Sequence, residues 1–184
     1  MSFETDPQGA DRARQAATVV IFRHAPDGGA PQILMLIRSH TMSFVGGAAV
    51  FPGGKVDPAD HELARDLMEQ AAGLLDNDEA AHRIAGIRET LEETGLAIGL
   101  TQRVDAADAA EARRMLNRNE PLKTVLERFG WTLDLDVLVP FARWMPHFKK
   151  GPIFDTRFYL SDLGTGAVDI AVDGTENTGM FWTT

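Results

Sequence analysis

Residues 88 to 96 read Arg-Glu-Thr-Leu-Glu-Glu-Thr-Gly-Leu, which spaces three carboxylates at i, i+3 and i+4. On a helix, Glu89, Glu92 and Glu93 fall within roughly a third of the circumference, and Ile84, Ile87 and Leu91 fall on the opposite side. Carboxylates held that close repel one another unless a cation sits among them. Hard oxygen ligands suit magnesium, manganese or calcium better than zinc or copper, so the pattern implies a divalent metal. The plainer meaning of a lone Glu-x-x-Glu-Glu is a solvated acidic face. Gly95 stands where a helix takes a left-handed C′ residue, which sets the distance from the acidic face to whatever follows.

The neighbours of the cluster raise it above a solvated face. Arg88 opens the run, and Val50-Phe51-Pro52-Gly53-Gly54 lies upstream as an apolar segment entering a Pro-Gly-Gly turn. The identities Arg, Glu, Glu, Glu and Gly at this spacing arise by chance with a probability on the order of 10⁻⁴ in a chain of this length. The segment resembles the Nudix box, G-x5-E-x7-R-E-U-x-E-E-x-G-U, where U is apolar. Gly54 matches the first glycine; Arg88, Glu89, Glu92, Glu93 and Gly95 match the core, and Leu96 the final apolar position. Three departures stand out. Asp60 replaces the family's first glutamate, 20 extra residues separate it from Arg88, and Thr90 occupies an apolar position.

The resemblance implies an α/β/α sandwich on a mixed sheet, and metal-dependent hydrolysis of a phosphoanhydride with Mg2+ or Mn2+. Glu89, Glu92 and Glu93 would be ligands, joined by a backbone carbonyl of Gly53-Gly54, with Arg88 orienting a carboxylate. The general base would be Glu89, or Glu176 in the late segment Asp173-Gly174-Thr175-Glu176-Asn177, for which a surface-loop role is as good a reading. The interrupted box, Arg38-Ser39 before it and Phe154 to Leu160 after it resemble the branch that includes coenzyme A and acyl-coenzyme A diphosphatases. Hydrolysis of ADP-ribose or a nucleotide sugar is the alternative within enzymes. A non-catalytic binding module is the rival outside them, disfavoured because all three helical glutamates are present.

Substrate-binding candidates are Arg38, Phe51, Lys149, Lys150 and Arg157. The lysine pair could hold a 3′-phosphate, although a solvated basic pair is the plainer and favoured reading. His82 lies roughly 10 Å along the helix from Glu89, too far for a direct ligand, and reads as a surface or supporting residue. Trp144, Phe148 and Phe154 read as core aromatics rather than base-stacking ones.

Residues 16 to 22 and 32 to 37 read as strands joined through Pro26-Asp27-Gly28-Gly29. Residues 48 to 51 make a short third strand. The extra segment, at about 61 to 80, carries Leu63, Leu67, Ala71 and Leu74 at helical spacing and predicts a helix capped near Asp60, beside the site. The box helix follows, then extended structure over 96 to 100, helices within 105 to 119 and from Pro121 to Phe129, and strands within 133 to 144 and 157 to 161.

The chain has 184 residues, 44% hydrophobic and 24% charged, enough for one domain over 16 to 184 with a core that needs no disulfide. Residues 1 to 15 read as a loose leader. A net charge of −9 disfavours general affinity for nucleic acid or anionic membrane, so the expected partner is a small nucleotide-derived substrate. There is no cysteine, and the cytoplasm is the expected compartment. The apolar run Met180-Phe181-Trp182 stops just before the last two residues, where related chains continue into a helix. A partner surface, such as that of a homodimer, or further chain would cover it.

Overall fold

The computed structural model describes residues 13–25, 27–39, 47–70, 76–146, 153–165 and 177–184. Its centre is strand β1 (Arg14–His24), where buried Ala17, Val19 and Ile21 alternate with half-buried Thr18, Val20 and Phe22. That period of two assigns one face of the strand to the core. Strands β2 (Gln32–Arg38), β3 (Ala49–Val50), β4 (Gly53–Lys55), β5 (Val139–Trp144), β6 (Phe154–Thr165) and β7 (Asn177–Thr183) complete a mixed sheet. Its order is β3-β2-β1-β6-β5, with β4 on β1 and β7 on β2. Only the β1–β6 pair is parallel among these, running from Arg14 opposite Phe154 to His24 opposite Thr165.

Four helices accompany the sheet among the described residues: α1 (Pro58–Gln70), α2 (Asn77–Thr94), α3 (Ala106–Asn117) and α4 (Leu122–Phe129). Ala17, Val19, Ile21, Leu34 and Tyr159 of the sheet share one core with Ile84, Ile87, Leu91, Leu116 and Val125 of the helices. This is the mixed α/β architecture expected from the order of elements. Helix α2 is buried along most of its length because the sheet lies on one side and α1 and α3 on the other.

Several local expectations change. Helix α1 starts at Pro58 and not Asp60, since proline suits the first helical position; Asp60 instead reaches back to accept the Asp57 N–H at 2.9 Å. The box helix starts at Asn77, so the extra residues comprise α1 and the first turns of α2; residues 71–75 lie outside the described set. Residues 96 to 100 form no strand beyond a bridge between Leu100 and Leu133, because Leu96 and Ile98 are spent on the helical core. Residues 135 to 137 form a 3-10 turn ahead of β5. Strand β7 stands where the sequence suggested only an apolar tail, and Trp144 is 60% exposed on the edge strand β5 instead of buried. No described helix is long and apolar enough to cross a membrane.

Candidate active site at the end of helix α2

Helix α2 ends on Gly95 in the left-handed conformation, φ 76°, with its N–H donating to the Leu91 carbonyl at 2.9 Å. From α3, Arg113 donates to the carbonyls of Glu92 and Glu93, each at 2.8 Å. Carbonyls that a helix end leaves open are therefore satisfied, and the turn bearing both glutamates is tied down. Against this turn lies β4, which the sequence presented as a bare Pro-Gly-Gly turn. It pairs with β1 through Gly53 opposite Thr18 and Gly54 opposite Ala17.

The close fit of β4 on α2 requires glycine. A Cβ on Gly54 would land on the Glu89 carboxyl group. The Gly53 N–H donates to Glu93 Oε2 at 2.9 Å, and the Asn177 side-chain amide donates to Glu93 Oε1 at 3.3 Å. Glu93 is thus 4% exposed. The acidic face is largely covered rather than solvated: Glu89 and Glu92 keep 16% and 30% side-chain exposure.

Arg88 organises the other half of the site. Its Nε and Nη2 donate to the two oxygens of buried Asp60 at 3.1 and 3.0 Å, and Nη2 also reaches the Lys55 carbonyl at 2.9 Å. Nη1 donates to Glu89 Oε1 at 2.9 Å and lies 3.6 Å from Glu92 Oε2. One guanidinium therefore fixes the carboxyl of its neighbour while anchored to the start of α1. Asp57 and Asp60, both on the far side of the extra segment, complete its surroundings.

The electrostatics follow from this burial. Burial raises Glu93 to about 8, and the Glu89 charge adds to that while the Gly53 and Asn177 hydrogen bonds oppose it. Glu89 is pushed up to about 7 by burial and by the Glu92 charge, against the pull of Arg88. Burial works against the charge of Arg88 itself, yet the Asp60 hydrogen bonds and the charges of Glu89, Asp60 and Asp57 outweigh it and hold the guanidinium protonated.

The remaining candidates are scattered. Arg38 ends β2, and its charge is among those acting on Glu93; its Nε is buried with no hydrogen-bond partner among the described residues. Phe51 is half-buried between β3 and β4. Arg157, on β6, pairs with Asp78 and with Glu79, the latter at 2.6 Å, in the first turn of α2. That turn is about 15 Å along the helix from Glu89. His82 is buried and not at the surface, its Nδ1 2.7 Å from the Asp78 carbonyl, because β6 covers this turn; burial lowers its pKa. Lys149, Lys150 and Glu176 lie outside the described residues. Sequence reasoning missed Asn177, Asp57 and Arg113 as parts of the site; Asn177, quoted only as Glu176's neighbour, carried no signal of its own.

Among the described residues, no group of three or more His, Asp or Glu side chains is arranged around a single metal position. Glu93 turns to Gly53 and Asn177, while Glu89 and Glu92 turn to Arg88. The donors nonetheless fit a hard divalent cation: all are carboxyl oxygens, and Glu89 and Glu93 are shielded enough from water that burial disfavours their charge.

No family model matches the chain. A curated relative is the acyl-coenzyme A diphosphatase NUDT19 of Gallus gallus, 27% identical across 92% of this chain and 60% of that protein. The chain therefore spans about 60% of the length of that relative. The crystal structure of a NUDIX hydrolase from Alicyclobacillus acidocaldarius superposes with a TM-score of 0.78 at 27% identity, covering 93% of this chain and 78% of the other. The NUDIX domain of Shewanella oneidensis NrtR, solved with ADP ribose, gives a TM-score of 0.51 at 10% identity over 99% of this chain and 82% of its own, a likeness of fold.

Proposed function

We propose that this chain, whose fold is that of the NUDIX hydrolases it resembles, hydrolyses a phosphoanhydride in a nucleoside diphosphate derivative, preferentially coenzyme A or an acyl-coenzyme A, using Mg2+ or Mn2+. The observation that carries the reading is the buried Glu93 and the largely covered Glu89, pressed against the glycine strand β4 with the Glu92 carboxyl beside them. Burying two carboxyls without a cation costs free energy, and a divalent ion held by Glu89, Glu92 and Glu93 would offset it. Once bound, such a metal polarises a phosphate oxygen and lowers the pKa of the attacking water.

The chain's own residues do the rest. Arg88, locked by Asp60, keeps Glu89 in place, and the Gly53 N–H and Asn177 keep Glu93 in place. Glu89, held by Arg88 beside Glu92, is one candidate for the proton acceptor. Glu176 is the competing base, favoured by its position next to Asn177 in the chain. Arg38 is a candidate donor for substrate phosphate, since its Nε is buried with no partner among the described residues and a ligand could supply one. Phe51 borders the same strand, and Lys149 and Lys150 are candidates for a 3′-phosphate. The interrupted box and the similarity to an acyl-coenzyme A diphosphatase support the choice of substrate.

A substrate screen with Mg2+ and with Mn2+ tests this reading: coenzyme A, acyl-coenzyme A, ADP-ribose, nucleotide sugars and dinucleoside polyphosphates. Coenzyme A or its thioester should be cleaved fastest, and Glu92→Gln and Glu93→Gln should each lower turnover by at least about a hundredfold with the fold intact. Faster cleavage of ADP-ribose or a nucleotide sugar would reassign the substrate. Failure to hydrolyse any of them with either metal would overturn the enzymatic reading in favour of a binding module.

A further inference from the structure

Strand β7 pairs with β2 in regular antiparallel register from Thr183 opposite Ile33 to Gly179 opposite Ile37. The next residue of β2, Arg38, then lies opposite Asn177 and not Thr178. Thr178 is therefore an extra residue in β7, a β-bulge. Its consequence appears in the burial pattern. Met180 and Trp182 pack toward the helical core while Phe181 between them is exposed. Uninterrupted alternation would send Thr178 to the core and Asn177 away from it. The bulge reverses both: Thr178 is exposed, its hydroxyl 3.4 Å from the Ile37 carbonyl, and Asn177 is 1% exposed with its amide on Glu93.

Each oxygen of Glu93 thus receives one N–H, Oε2 from the main chain of β4 and Oε1 from the side chain of Asn177. These donors lie 40 residues before and 84 residues after Glu93, and neither is on the helix that carries the glutamate. Together they set the plane of the carboxyl and leave lone pairs on both oxygens for another ligand. We propose that Asn177 is a positioning residue, turned onto Glu93 by the bulge at Thr178, and that by fixing one oxygen of this carboxyl it supports the binding of a divalent cation by Glu93. Outer partners of this kind orient metal-binding carboxylates, and their loss commonly costs 10- to 100-fold in affinity. The inference rests on the metal-dependent reading above.

The test is Mn2+ binding to the metal-stripped full chain, followed by titration calorimetry or by the electron spin resonance of free Mn2+, with melting temperature recorded in parallel. Asn177→Leu keeps the approximate shape and removes the donor. It should weaken Mn2+ binding at least about tenfold. Deleting Thr178 removes the bulge while retaining the asparagine, and should weaken binding to a similar extent. Should the deletion fail to fold, the leucine variant carries the test. Combining Asn177→Leu with Glu93→Gln separates positioning from general stability: the double variant should bind Mn2+ no more than about twofold more weakly than Glu93→Gln alone, since the asparagine acts through that carboxyl. If Glu93→Gln lowers affinity but Asn177→Leu does not, or the two effects are fully additive, the positioning role is overturned. If Glu93→Gln itself leaves Mn2+ binding unchanged, the metal-dependent reading fails first, and this inference with it.

Discussion

Arg88 and Asp60 meet through two roughly parallel hydrogen bonds of 3.1 and 3.0 Å, although 28 positions separate them in the chain. Asp60 occupies the position of the box's first glutamate, and the extra segment leaves the charge pair closed. Helix α1 begins at Pro58, so its first turn delivers Asp60 directly to the guanidinium. The segment lengthens the path between the two residues without parting them.

Asp60→Asn should therefore act well beyond one hydrogen bond. It leaves Arg88 buried with half its compensation gone, and breaking a buried pair in this way costs about 3 kcal/mol. Equilibrium denaturation should show a loss of that order, with lower turnover because Arg88 also holds Glu89. A stability change under about 1 kcal/mol would place the pair among weakly coupled surface ions.

The metal-free protein should become less stable as pH rises through 7 to 8. Folding raises Glu89 from its ordinary 4.5 to about 7 and Glu93 to about 8. Above pH 4.5 the unfolded chain has given up these protons while the folded chain keeps them, so folded-state proton binding favours folding only until the pH passes the folded values. Melting temperatures in chelator from pH 6 to 9 should fall, and Glu93→Gln should flatten the slope. Adding Mn2+ should oppose the decline, because the cation takes the place of the protons. An identical slope in Glu93→Gln would show that this carboxyl is ionised throughout.

Glu89 and Glu176 make opposite forecasts as general base. If Glu176 activates water, Glu176→Gln should depress single-turnover rates strongly and leave Mn2+ affinity nearly unchanged, since the helical carboxylates remain. If Glu89 does so, Glu89→Gln should weaken metal binding and turnover together. A fully active Glu176→Gln variant would return that residue to an ordinary surface loop.

Arg157 is committed to Asp78 and Glu79 and thereby joins β6 to the start of α2. Arg157→Met should lower stability by about 2 kcal/mol, as expected for hydrogen bonds between charged groups. It should leave KM for the nucleotide substrate within about twofold of the parent. A large rise in KM with unchanged stability would restore the substrate-binding role that the sequence suggested.

What could be read from the sequence was whatever the local period of the backbone controls. Helical geometry alone puts Glu89, Glu92 and Glu93 together and Ile84, Ile87 and Leu91 opposite, and a left-handed stop at Gly95 requires no distant partner. Continuous apolar runs on either side of a turn-forming Pro-Asp-Gly-Gly made β1 and β2 visible in the same way. Other properties are not periodic. Whether the acidic face meets water or protein depends on β4, some 40 residues earlier, lying across it. Whether His82 is buried depends on β6, and whether Trp144 is exposed depends on β5 being an edge. Asn177 shows the limit most clearly: its side chain reaches Glu93 through a one-residue bulge, and a shift of one residue in a strand reverses the face of every side chain beyond it. The residue types available to the site were set by local sequence, and their burial, partners and direction by the long-range packing of strands on helix α2.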